Sequence, residues 1–246
     1  MHRLIVLPML FAAACAPRGE SVESLIEKHT AARGRRGAIE AVERISIVFA
    51  LQEPTFEVDG RYVADRTGRM RVDILADGQR VFTEAFDGSR GWQLEQDATS
   101  ATPASAQGTV ALRHGVESPF KLFGLHELAA RGHRIDCCDD ETLDGVRYHV
   151  LQVRFADGQV AGYYLSPKTL LIDRERRLRA LHVDVDPTPI LIETQHLDYR
   201  SVAGVMYPFR QIEREVASGR VLSTMVVESI KVNQAVDPAF FAAMGG

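Results

Sequence analysis

The chain has little of what catalytic and metal-binding sequences usually carry. Its 246 residues include three cysteines and one tryptophan. Two of the cysteines, Cys137 and Cys138, are neighbours, a spacing at which a disulfide closes a strained ring and tethers no loop. There is no Cys-x-x-Cys pair, which removes the common zinc and thioredoxin-like frames. A Gly-x-Ser-x-Gly elbow, a glycine-rich phosphate loop and a His-Glu-x-x-His pair are also missing. The nearest nucleophile-like string, Asp87-Gly88-Ser89-Arg90-Gly91, reads as a tight turn. Lys and Arg total 29 against 33 Asp and Glu, and they are scattered along the chain, so no basic patch offers itself to nucleic acid. No apolar run reaches the ~20 residues a bilayer crossing needs. Nothing so far requires a cofactor, a metal or a catalytic residue.

What is present begins with an address. His2 and Arg3 precede the apolar run Leu4 to Ala14, broken only by Pro8, and Ala12-Ala13-Ala14 leads into Cys15. A basic start, a short apolar stretch and small residues predict a cleaved secretory signal over 1–14. The order Leu10-Phe11-Ala12-Ala13-Ala14-Cys15 resembles a bacterial lipobox, in which Cys15 becomes the lipidated first residue. Ala12 stands where lipoboxes favour Leu, so ordinary cleavage that leaves Cys15 unmodified is the alternative. On the first route 15–20 is a lipidated cysteine with a short polar tether, and a triacylated cysteine can hold a membrane. Ala16 is not the Asp that resembles an inner-membrane retention signal. The expected location is therefore the periplasmic side of the outer membrane by lipid anchor, or the soluble periplasm. The remaining 21–246 read as one domain.

Ser21 to Arg44 shows helical spacing in Val22, Leu25, Ile26 and His29, with Ser21 and Ser24 as caps and an interruption at Gly34-Arg35-Arg36-Gly37. A short turn over Ala38 to Val42 resumes it. The period then changes to two. Ile45, Ile47, Phe49 and Leu51 alternate with smaller or polar residues; Phe56, Val58 and Tyr62 oppose Glu57, Asp59 and Arg61; Met70, Val72 and Ile74 oppose Arg71 and Asp73. Such strands predict an antiparallel sheet with one dry face. Thr67-Gly68, Asp77-Gly78 and Asp87-Gly88 mark the turns. One or two helices are expected from Val110 to Arg131, interrupted near Ser118-Pro119. Strands resume at Tyr148 and continue to Val232, with a closing helical turn over Pro238 to Met244. The total is about eleven strands, mainly β with some α, and without βαβ spacing or a fixed repeat.

One cluster tests the enzyme alternative. His182, Asp184 and Asp186 alternate, so on a strand all three would point to one side and could seat a cation. Pro187 and Pro189 follow, and an exposed edge guarded by charge explains the same pattern. The run Asp139-Asp140-Glu141 before Asp144-Gly145 reads as a solvated hairpin. His114, His126 and His133 lack the spacing of a ligand set and are expected at the surface or its boundary.

Five motifs, in order, carry a family resemblance. Ala31-Ala32-Arg33-Gly34-Arg35-Arg36-Gly37-Ala38-Ile39 resembles the Ala-Arg-Gly-Gly helix segment of lipoprotein-sorting envelope proteins of the LolA/LolB type. Phe86-Asp87-Gly88 through Gly91-Trp92 resembles their Asp-Gly…Gly-Trp turn, and Tyr163 to Leu171 their Tyr-Leu-Asp-Pro strand, with Ser166 in place of Asp. Asp198 to Val205 with Tyr207-Pro208 resembles their Asp-Tyr-Arg hairpin. Ile230 to Asn233 with Asp237-Pro238 and Phe240-Phe241 resembles their close. The resemblance implies an unclosed antiparallel β-barrel with a helical lid over an apolar cavity for acyl chains.

Wall candidates are Phe49, Phe56, Val58, Tyr62, Val72, Ile74 and Trp92, and lid candidates are Phe120, Phe123 and Leu125. Each of them is equally compatible with plain core packing. The expected function is non-enzymatic binding of lipid or of an acylated protein, as carrier or receptor, with an envelope protein as a possible partner. The alternatives are an envelope enzyme or metal-dependent hydrolase on the same scaffold, or a non-catalytic sensor or interaction module.

Overall fold

The computed structural model describes residues 20–136 and 140–243. Cys15 and the segment before it, and the Cys137-Cys138 pair, lie outside the described residues. Helix α1 (Val22–Arg33) starts where the Ser21 hydroxyl accepts the Ser24 amide at 3.2 Å. It ends at Gly34, whose φ of +151° and close approach to Gly204 suit no side chain: a β-carbon there would stand 2.3 Å from the Gly204 carbonyl oxygen. A five-residue helix, α2 (Arg36–Glu40), follows.

The chain then lays down β1 (Arg44–Glu53), β2 (Phe56–Asp65), β3 (Met70–Ala76), β4 (Gln79–Phe86), β5 (Gly91–Glu95) and the short β6 (Thr102–Pro103). Helix α3 (Ala106–Glu117) and two 3-10 turns, Leu125–Glu127 and Ala129–Arg131, interrupt the sheet. It resumes with β7 (Arg134–Asp136), β8 (Asp140–Leu143), β9 (Val146–Arg154) and β10 (Val160–Leu165). The last strands are β11 (Ile172–Arg179), β12 (Ile190–Val202), β13 (Val205–Glu215) and β14 (Val221–Val232), before a 3-10 turn at Pro238–Phe241.

All fourteen strands belong to one antiparallel sheet, ordered β6-β5-β4-β3-β2-β1-β14-β13-β12-β11-β10-β9-β7, with β8 also on β9. Since β6 and β7 end the ladder and do not pair with each other, this is an unclosed barrel. The count exceeds the expected eleven because β6, β7 and β8 have only two to four residues, too few to show a period. Three hairpins turn on two residues that both have positive φ: Asp77-Gly78, Asp144-Gly145 and Ala203-Gly204. Their backbone twist matches that of the paired strands.

The register defines an inner face. Ile47 pairs with Tyr62, Tyr62 with Val72 and Val72 with Glu84, so the even residues of β2 to β4 lie on the same side as the odd ones of β1. On this side α3, Leu122 and Phe123 close a core with Phe49, Tyr62, Met70, Phe86, Tyr207 and Phe209. A second core joins Leu25 of α1 and the 120–128 segment to Leu151, Tyr163 and Ile172. Two arginines pin the plug. Arg33 donates to the Phe123 and Lys121 carbonyls at 2.5 and 2.9 Å. Arg66 donates to the carbonyls of Ile39, Val42 and Leu122 and to Glu127, at 2.6 to 3.0 Å.

Candidate binding site on the concave face

The inner face differs along its length. At one end it is packed solid. Phe49, Tyr62 and Phe123 are buried in the first core, and Phe120 and Leu125 in the second, so these five expected wall and lid residues are core residues. The recess beneath α1, between His29, Phe120 and Tyr199, is too narrow for a water molecule. An apolar hollow beneath the helices, as the sequence suggested, is therefore corrected: the plug fills that space.

Toward the other end the apolar row is incompletely covered. Leu51, Val58, Val72, Ile74, Phe82 and Met225 are each only half-buried, and Phe56 is 45% exposed at the rim. Here lies a cavity of about 180 Å³, open to solvent, with Leu51, Met225 and Leu181 as its apolar lining. Glu53, Gln211, Glu213 and Ser223 supply polar lining, together with Arg179 and His182. Pockets for drug-sized ligands run to ~300–1,000 Å³, so this one is smaller than a typical ligand site. Of the ten candidates, Val58, Val72 and Ile74 lie on this incompletely covered stretch.

Trp92 is a second correction. Ala85 and Arg71 are its neighbours across the ladder, which puts it on the outer face. There it forms a small core with Ala85 and Leu94 and donates its indole N–H to the Phe241 carbonyl at 2.9 Å. Arg71 stacks on both Trp92 and Phe240. The alternation of β5 was legible; which face it buried was decided by the C-terminal turn.

The loop 180–189 crosses the mouth. The His182, Asp184 and Asp186 set does not share a strand face, because 181–185 is a turn closed by hydrogen bonds from the Val185 and Asp186 amides to the His182 carbonyl. Among the described residues no three His, Cys, Asp or Glu stand close enough to hold a metal. Each of the three has its own surroundings. His182 Nε2 stands 3.5 Å from Glu53, Asp184 accepts from Gln93 Nε2 at 2.7 Å, and the Asp186 carboxylate takes the Thr188 amide. Asp184 also sits so close over α3 that a β-carbon on Gly108 would meet its oxygen at 2.7 Å. The Asp87 to Gly91 string is the β4–β5 turn: Asp87 accepts the Ser89 and Arg90 amides at 2.8 Å.

Charged groups inside the half-barrel went unseen in the sequence. Arg177 pairs with Glu175 at 2.6 Å and reaches the Tyr163 hydroxyl, and Arg179 pairs with Glu213 at 2.5 Å. His114, His133 and the ring of His126 are buried, against expectation; His114 meets Asp157 at 2.8 Å and stacks on Phe155. His133 Nδ1 accepts the Ala156 amide at 3.2 Å, and His126 Nδ1 stands 3.3 Å from the Thr30 hydroxyl. Lys121, beside the Tyr62 ring, has its pKa drawn down to about 8 by desolvation. Desolvation pushes the Glu84 carboxyl up, and repulsion from Asp184 adds to it.

These features define an unclosed half-barrel whose concave face is plugged at one end and grooved at the other. Solved structures share that fold. A LolA-superfamily protein from Nitrosomonas europaea superposes with a TM-score of 0.59 at 12% identity, covering 90% of this chain and 98% of its own. A DUF1329-family protein from Desulfovibrio piger gives 0.59 at 8% identity, over 91% of this chain and 98% of its own. A domain named for outer-membrane lipoprotein sorting, from Vibrio parahaemolyticus, gives 0.58 at 8%, over 89% and 94%. No protein-family model matches the chain, and no curated protein matches it. The fold is thus LolA-like, in agreement with the five motifs, at sequence identities that carry the fold and nothing finer. Among the described residues no helix is long and apolar enough to cross a membrane.

Proposed function

We propose that this is an exported envelope protein that binds the acyl chain of a lipid or of an acylated protein along the open end of its concave face. It acts as a carrier or receptor, without cofactor and without catalysis. The observation that carries this reading is the row of half-buried apolar side chains on the inner face, Leu51, Val58, Val72 and Ile74, beside the 180 Å³ cavity. Each methylene of a guest removed from water there gains ~0.8 kcal/mol. The LolA-like fold and the signal-like N-terminus support the same reading. On it, 1–14 is removed, Cys15 carries the anchor and 21–246 is the binding domain.

Native mass spectrometry of the protein purified from a bacterial membrane is the test. Co-purifying lipid, released in organic solvent and displaced by a fluorescent fatty acid, is the expected result. A lipid-free protein that also ignores the fluorescent fatty acid overturns the reading. Mass analysis of the mature N-terminus, run alongside, separates lipidated from merely cleaved Cys15.

A further inference from the structure

The 180 Å³ cavity has a polar side for which an acyl chain has no use. Leu51 pairs with Met225 and Met225 with Gln211, so these three lining residues form one row across β1, β14 and β13. Ser223 and Glu213, paired with each other, lie two residues further along their strands on the same face, and Glu53 lies two beyond Leu51. Arg179, Leu181 and His182 complete the wall from the side of the 180–189 loop. The lining thus holds two carboxylates, one guanidinium and one imidazole.

The two carboxylates differ in what holds them. Glu213 is engaged: Arg179 donates to it at 2.5 Å, and the Thr194 and Ser223 hydroxyls each donate at 3.4 Å. The Glu53 side chain is 12% exposed, yet among the described residues no amide, hydroxyl or guanidinium donates to it. Its nearest basic neighbour is His182 Nε2 at 3.5 Å, on a ring that is itself 53% exposed. A carboxylate so far withdrawn from water is costly without donors. A ligand that brings N–H groups and a positive charge offsets that cost. A bare metal ion is poorly matched, since among the described residues no three His, Cys, Asp or Glu gather to hold one.

We propose that this cavity takes a primary ammonium carried on a short aliphatic arm, with Glu53 as its counter-ion and Leu51, Leu181 and Met225 against the methylenes. A primary ammonium has three N–H donors. Besides Glu53, the Gln211 amide oxygen and the Ser223 hydroxyl are acceptors in the same wall. A quaternary ammonium has no donor, and the lining offers no aromatic face to hold one by its charge alone. Being smaller than a drug-sized pocket, the cavity suits a head of a few heavy atoms. The ethanolamine head of a phospholipid and a free aliphatic amine share this chemistry. The lipid source rests on the acyl-binding reading above, with Leu51 common to the cavity and to the half-buried apolar row.

The delipidated full chain is titrated with three lauroyl lysophospholipids that differ only in the head, ethanolamine, choline or glycerol, and separately with putrescine. The ethanolamine lysolipid binds roughly ten- to hundred-fold tighter than the other two, the worth of hydrogen bonds to a charged group. Putrescine that binds as tightly identifies a free amine as the source, and putrescine that does not bind identifies the lipid head. Glu53→Gln brings the three lysolipids to within a few-fold of one another. His182→Lys, at an exposed loop position, sets a tethered ammonium beside an intact Glu53 and lowers the preference by competition; it serves if the first variant does not fold. Equal binding of the three lysolipids, with none of putrescine, overturns the ammonium assignment and leaves the acyl site standing. Putrescine binding without any lysolipid leaves the ammonium site standing and overturns the acyl reading. Binding of no probe overturns both. A preference for ethanolamine that survives Glu53→Gln, or that His182→Lys leaves unchanged, removes Glu53 from the role.

Discussion

Replacing Lys121 with methionine should stabilise the protein at neutral pH, although it deletes a hydrogen bond. Burial draws the lysine pKa from 10.5 to about 8. At ~1.36 kcal/mol per unit, keeping it charged costs the folded state about 3 kcal/mol at pH 7, where both states are protonated. Losing the Gly115 hydrogen bond and the contact with Tyr62 takes back ~1–2 kcal/mol. A net gain of about 1–2 kcal/mol is expected, read from urea denaturation followed by circular dichroism.

The pH dependence is the stricter check. Between pH 8 and 10.5 folded Lys121 has released its proton while the unfolded lysine retains it, so the natural protein recovers stability as pH rises and the advantage of the variant shrinks. The groups facing Lys121 do not blur this window. Burial pushes Tyr62 upward and draws His196 down to about 3, while Arg177 is raised by Glu175 and Tyr163 despite its own desolvation. A variant less stable than the natural protein at pH 7, or an advantage that stays constant from pH 7 to 10, refutes the desolvation reasoning.

Three further outcomes follow from packing. Gly34→Ala should cost more than ~2 kcal/mol, because its β-carbon would meet the Gly204 carbonyl at 2.3 Å on backbone that cannot step aside; chemical denaturation reads it. Ending the chain before Pro238 should uncover Trp92, seen as a red shift of its emission with a loss of ~2–4 kcal/mol, since Phe241 is 1% exposed against it. Arg66→Met should loosen the helical plug, since it strands three carbonyls and Glu127. Amide exchange over 120–131 should quicken, with a loss of ~3–5 kcal/mol, while unchanged protection there would mean that the apolar plug holds without the arginine.

How much of this was legible in the sequence differs by element. Strands with an alternating face, such as β1 with Ile45, Ile47 and Phe49, were readable, and so was the Asp77-Gly78 turn, because only a short φ-positive pair closes so tight a hairpin. The motif around Gly34 and the hairpin at Gly204 look unrelated in sequence, yet they touch, which gives two of the five resemblances one physical cause. Strand β11 shows where periodicity fails. Its residues Ile172–Arg179 are mostly charged, and Glu175 and Arg177 point inward because each neutralises the other. Sidedness failed at Trp92 for a different reason: its cover comes from Phe240 and Phe241, at the far end of the chain. Lys121 sits in a stretch whose apolar neighbours Phe120, Leu122 and Phe123 predict a lid, and pattern alone does not show that the lid has an ammonium on its underside.

The loop 180–189 has a mechanical consequence. A closed barrel has its circumference set by backbone ladders, but here β6 and β7 leave a gap, and the mouth is spanned by side chains: Asp184 on Gln93, His182 toward Glu53. Contacts of this kind, at an exposed position, are worth ~1 kcal/mol or less each. The aperture is therefore an adjustable dimension of the molecule. A single substitution in that loop can widen or narrow it without disturbing one rung of the sheet, which lets the width of the mouth drift while the scaffold stays as it is.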